Sequence, residues 1–186
     1  MRARGHAVRY RALDREPSGS QLKRDNAMTH TTSSIAPTIR LSAEPFDAAH
    51  EEALLLRGRT DIGALVCFTG LCRDEAGTLT ALELEHYPGM AESEIAAIAA
   101  DALARWPLQG LTVLHRFGLV RPGEKIVLVA AAARHRSEAF AAAEFLMDYL
   151  KTRAPFWKKE HRVDGGEGGW VEAKASDDQA AARWEE

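Results

Sequence analysis

The chain lacks the features that would commit it to a specialised class. It has two cysteines, Cys67 and Cys72, in one short stretch, and no second Cys/His cluster completes a zinc site. A disulfide framework is thereby excluded as the basis of the fold, and a reduced, cytoplasmic compartment is expected. Long apolar runs are missing too: the longest, Ile126 to Ala133, is far too short to span a bilayer. No apolar stretch follows the basic start, so no signal peptide is expected. Neither sign of charge dominates, since 24 Lys and Arg face 27 Asp and Glu, a formal net charge of -3. That balance offers no global basic field for nucleic acid. What is present, 46% hydrophobic and 27% charged residues in a chain of 186, suits a globular protein with one good core.

Residues 1–38 read differently from the rest. The first 27 hold seven Lys or Arg against three Asp or Glu, and Met28 then opens the Ser/Thr-rich stretch MTHTTSSIAPT. With neither a helical nor a strand period, residues 1–38 are expected to be a disordered lead, with a functional basic arm as the alternative and Met28 as a possible start. Residues 39–186 form the second unit, in which short strands alternate with helices. Ile39 to Leu41 reads as an edge strand, Asp47 to Leu56 as a short helix and Ala64 to Phe68 as a compact apolar strand. Leu79 to His86 alternates like a half-buried strand. Pro88 stands where a first helical residue would, ahead of a stripe of Ala91, Ile95, Ile98, Ala102 and Trp106 that Pro107 stops.

Strands are expected at Leu111 to Phe117 and Lys125 to Ala133, around a turn on Arg121-Pro122-Gly123. A long helix should run from Ser137 to Arg153 with Ala139, Phe140, Ala143, Leu146, Met147 and Leu150 buried, and Pro155 ends it. Phe156 to Arg162 and Trp170 to Ala173 read as a strand pair, and Ser176 to Trp184 as a short helix. The fold class is α+β, in a single domain.

Three segments carry more cationic chemistry than packing requires. In Thr69-Gly70-Leu71-Cys72-Arg73, a strand-end glycine lets backbone amides approach a ligand and Arg73 adds a charged fork, although such a loop also occurs as a plain turn. In Arg134-His135-Arg136-Ser137, cations oppose the macrodipole of the helix they precede, which makes sense if an anion shares the site; otherwise Ser137 simply caps a solvated helix start. In the segment Lys151 to Glu160, Lys151 closes a helix and Lys158 follows the break at Pro155. The two lysines converge if the chain folds back there, and a lysine near other cations or apolar walls loses basicity, as acid/base work requires. Cys67 is expected in the core and Cys72 in a loop, with no nucleophilic role for either. The residues His86 to Met90 are read as helix-entry packing.

The stretches LELEHYPGM at 82–90, RWP at 105–107, MDYLKTRAPFWK at 147–158 and WVEA at 170–173 resemble the molybdopterin synthase large-subunit family. The similarity runs from about Ile39 to Trp184. It implies an α/β hammerhead-type fold, a homodimer at the centre of a heterotetramer, and a small ubiquitin-like sulfur-carrier subunit ending in a Gly-Gly thiocarboxylate. The implied reaction moves that sulfur onto cyclic pyranopterin monophosphate to make the molybdopterin dithiolene. By the same resemblance Lys151 and Lys158 are the catalytic residues, and Arg73, His135 and Arg136 bind the anion. Leu71, Cys72, Lys159 and Glu160 complete the substrate contacts. Where members often carry lysine after the loop glycine, this chain has Leu71, so a backbone contact is expected there. No cofactor, metal, nucleic acid or membrane is implied. A non-catalytic module holding a ubiquitin-like protein or phosphorylated ligand is the alternative.

Overall fold

The structure, a computed structural model, describes residues 35–74, 77–163, 167–171 and 175–185. The predicted lead lies outside them up to residue 34. Twelve elements follow among the described residues: β1 (Thr38–Ser42), α1 (Ala48–Leu56), β2 (Ala64–Leu71), β3 (Leu79–His86), α2 (Met90–Arg105), β4 (Leu108–Arg116), β5 (Gly118–Val120), β6 (Lys125–Ala133), α3 (Arg136–Thr152), β7 (Phe156–Arg162), β8 (Glu167–Trp170) and α4 (Ala175–Ala182). They build two four-stranded sheets, one in the order β1-β4-β6-β2 and the other β5-β3-β7-β8. The α+β class and the edge position expected for Ile39 to Leu41 are both observed.

The first sheet is centred on β6, a fully apolar strand after its opening Lys125, which pairs antiparallel with both β4 and β2. Its run of four alanines leaves room for α2 and α3 to pack closely on the sheet. Ile95, Ile98, Val129, Phe145 and Leu146 meet there fully buried. Each such large side chain stabilises the fold by about 1.5–3 kcal/mol relative to exposure. Trp106, Phe145 and Trp184 stack edge to face at 5.3–5.8 Å, so the C-terminal segment is tied to the same core. Asp148 holds it too, accepting from Trp184 Nε1 at 2.8 Å and from Arg183 Nη2 at 2.7 Å.

Several boundaries differ from the sequence reading for local reasons. α2 begins at Met90 rather than Pro88: Gly89, at φ +83°, is the N-cap and its N–H donates to the Glu92 carboxylate. His135, not Ser137, caps α3, and the Ser137 hydroxyl donates to Glu138. Phe140 is 62% exposed, and Ala142, Phe145 and Tyr149 fill the inner stripe instead. Tyr87 and Met90 are exposed rather than packed at the helix entry. The second strand of the last pair is β8, which takes in Glu167 to Gly169 from the expected loop; Glu172 and Ala173 lie outside the described residues. The two cysteines exchange places. Cys67 is exposed on edge strand β2, whereas Cys72 is 3% exposed and packs with Leu84 and Val120. Cys72 is held by backbone bonds to Glu124 and Gly123 across the Pro122 turn.

Candidate functional site

The break at Pro155 brings the two sheets' chemistry together. α3 ends at Thr152, the chain turns over Arg153 to Pro155, and β7 runs back beside β3. Along β7 side chains alternate, so Phe156, Lys158, Glu160 and Arg162 share one face and Trp157, Lys159 and His161 the other. The first face, the end of β2 and the last turn of α3 border an open cavity of about 1300 Å3. Leu71, Cys72, Arg73, Lys151, Lys158 and Glu160 all line it, together with Asp74, Arg162 and Asp177. An inner recess of about 160 Å3 continues among Phe68, Leu82, His115, Met147 and Phe156, and both lysines line it as well. Two lysines from different elements therefore meet at one place, as the fold-back at Pro155 required.

The cavity's polar groups are partly engaged. Lys151, half exposed, donates to Asp177 Oδ1 at 3.4 Å, a carboxylate that α4 delivers from 26 residues further along the chain. Arg162 donates to Glu160 at 2.9 Å. Burial pushes the Cys72 thiol up, and Glu124 and Asp74 add to this, so it holds its proton and is poorly suited to nucleophilic work. Gly70 earns its place by packing: a Cβ there would sit 2.6 Å from Val127 Cγ1 at the wall of the inner recess.

Three predicted residues are not brought to this cavity within one chain. Lys159 is on the opposite face of β7, in register with Glu83 and Trp170. His135 and Arg136 open α3, so about 22 Å of helix axis separates Arg136 from Lys151. Arg73 lies beyond the far end of β2, whose first residue, Ala64, pairs with Ala133 just before the Arg134–Arg136 cluster; β2 is about 23 Å long. His135 and Arg136 are exposed, at a helix start whose free amides favour an anion.

Conversely, His115, Arg162 and Asp177 line the site and were not singled out from sequence. His115 left a signal, a polar residue inside an otherwise apolar strand. Asp177 left none, because its pairing with Lys151 is purely tertiary. Among the described residues no group of three His, Cys, Asp or Glu could hold a metal ion, and no helix is long and apolar enough to cross a membrane.

Comparison with known proteins agrees on one family. The family model described as "MoaE protein" matches residues 41–153. A molybdopterin synthase catalytic subunit of Mesorhizobium japonicum is 69% identical over 150 residues, covering 81% of this chain and 94% of the relative. Among solved structures, a molybdopterin biosynthesis MoaE protein from Burkholderia ambifaria aligns with a TM-score of 0.70 at 50% identity, over 81% of this chain and 99% of that one. The molybdopterin synthase from Staphylococcus aureus aligns at 0.65 and 30% identity, over 71% and 95%.

Proposed function

The chain belongs to the MoaE family, enzyme subunits of molybdenum cofactor biosynthesis, and from that premise we propose how it works. It is the catalytic subunit of a molybdopterin synthase, taking sulfur from the C-terminal thiocarboxylate of a small ubiquitin-like subunit. The acceptor is cyclic pyranopterin monophosphate, and two transfers make the dithiolene. The work is done in the cytoplasm, where both free thiols stay reduced.

The observation that carries this reading is the convergence of Lys151 and Lys158 in one cavity. The donor's sulfur must bond to a carbon of the precursor as an oxygen substituent leaves that carbon, giving a thioester between tail and precursor. Water then attacks the thioester's acyl carbon, the acyl carbon–sulfur bond breaks, sulfur stays on the precursor and the tail departs as a carboxylate. Protons must be delivered and removed beside the tail at each stage. Two amines from opposite walls serve that need, and Asp177 steadies the Lys151 amine through their ion pair. The sulfur arrives with the partner, so no cysteine of this chain takes part.

The precursor's phosphate needs convergent cations. Arg73 is at the cavity, and His135 and Arg136 are at the opposite end of α3, so the three meet on one phosphate when a second copy supplies the pair. Phe140, one helical turn from Arg136 and largely exposed, gives that end an apolar contact for the second copy. Two copies with one carrier subunit each make the heterotetramer. Leu71 offers backbone to the substrate, Cys72 and Glu160 close the same wall, and Lys159 contacts the carrier on the outer face.

The test is turnover with thiocarboxylated carrier and precursor. Lys151→Ala should fold, bind the carrier and lose about 10²–10⁴-fold in rate, the usual weight of a positioned acid or base. Lys158→Ala should be impaired in the same assay. Wild-type turnover in Lys151→Ala contradicts the assignment, and carrier binding without any wild-type turnover favours a non-catalytic module.

A further inference from the structure

The inner recess contains a titratable group that the lysine mechanism leaves unused. His115, on β4, is 7% exposed and lines the recess with Lys151 and Lys158. Its ring lies flat on Phe156, centroids 3.8 Å apart and planes 18° from parallel. Phe156 and Lys158 stand on the same face of β7, so the ring that His115 holds belongs to the strand that carries Lys158. Nδ1 lies 2.8 Å from the carbonyl oxygen of Arg116. A carbonyl only accepts, so Nδ1 carries the proton, and the neutral ring keeps its lone pair on Nε2.

We infer that His115 is a positioning residue for sulfur transfer: it braces Phe156 and offers Nε2 as the acceptor that orients the Lys158 amine in the working site. The surroundings keep the ring neutral. Desolvation does most of this, Lys158 on β7 and His86 on β3 add to it, and the bond to the Arg116 carbonyl opposes it only in part. Lys151 on α3 lines the same recess, while neighbouring Arg116 is turned to Glu124 and the Ala43 carbonyl. A neutral acceptor suits an amine that must gain and lose a proton, because it orients the amine without opposing its charge as a second cation would.

In the sulfur-transfer reading on which this rests, the wild-type heterotetramer turns over, and the test compares it with His115→Phe and His115→Gln. Phenylalanine keeps the stack and removes the acceptor; glutamine restores an acceptor near the Nε2 position. For His115→Phe we expect kcat to fall about ten- to a hundredfold with KM little changed, since misplacement of a reacting group costs on that order. The limb of the pH–rate profile that follows Lys158 should shift, and His115→Gln should regain part of the rate. Wild-type kcat and pH profile in His115→Phe would show that the ring only packs. If His115→Phe does not fold, nitrogen NMR of the wild-type full chain decides. A proton on Nδ1 with Nε2 bare and accepting a hydrogen bond supports the role, whereas a proton on Nε2 overturns it. An inactive wild type would instead count against sulfur transfer itself, leaving the tautomer measurement to judge His115 alone.

Discussion

The two ends of α3 both carry cations, but they differ physically. At the C-terminal end Lys151 lies where the macrodipole favours a positive charge, with Asp177 beside it and a cavity around it. At the N-terminal end His135 and Arg136 oppose the dipole, lie exposed, and line neither the Lys151 cavity nor its inner recess. At the first end one chain brings both lysines to the cavity. The second end, with its cations and free helix-start amides, is proposed to complete the phosphate site of another copy's cavity. A cluster that costs stability in the isolated chain is explained when another copy and a phosphate complete it.

Acid stability should reveal how firmly the inner end of the cavity excludes charge. The His115 imidazole is held down at about 4, chiefly by burial, against its ordinary value near 6.5. The unfolded chain therefore takes up this proton first as pH falls. Stability is undiminished above pH 6.5 and drops between 6.5 and 4, by up to about 3 kcal/mol for a shift of this size. Urea titrations at stepped pH should show this slope in the wild type and its loss in His115→Phe; an equal slope in both would mean the ring is not shielded from water.

The anion-binding pair should show a slightly smaller effect. Arg73→Ala or Arg136→Ala removes a charge-assisted bond of about 1.5–3 kcal/mol, hence one to two decades of precursor affinity. Calorimetry with the precursor measures this, and carrier affinity in the same variants should change far less. Unchanged precursor binding in both variants would reduce the N-terminal cluster to a solvated helix start.

The cysteines provide the mildest contrast. Cys72→Ser places a hydroxyl among Leu84 and Val120 and should cost about 1–3 kcal/mol by thermal melting. Cys67→Ser, on the exposed strand edge, should stay within about 0.5 kcal/mol. Neither should abolish turnover, since neither thiol handles the sulfur.

The reversal of those cysteines shows where sequence runs out. Local pattern carried the strands whose sides are unambiguous: Leu79–His86, Lys125–Ala133 and Phe156–Arg162 fall where alternation, an apolar run or a flanking proline put them. Cys67 sits in an apolar run too, but which face of edge strand β2 is covered depends on what packs there. Cys72 comes two residues after Gly70 in what reads as a loop, and the Pro122 turn folds over it. Phe140 misled in the same way, being apolar at helical spacing yet on the outer side of α3. The lysine convergence was legible because Pro155 permits one sharp return. The distance between Arg73 and Arg136 was not, because it follows from strand register and helix length together.

The split of the site between two copies is tested most directly by mixing chains. Arg73→Ala and Arg136→Ala dimers, each assayed alone at subsaturating precursor, should be weak. Unfolded and refolded together, they form mixed dimers in which one cavity carries both substitutions and the other carries neither. With isologous two-fold pairing, about a quarter of all cavities become intact, and turnover should rise toward about a quarter of wild type. No gain on mixing, with mixed dimers verified by mass, would contradict the account and place both arginines on a single chain's site.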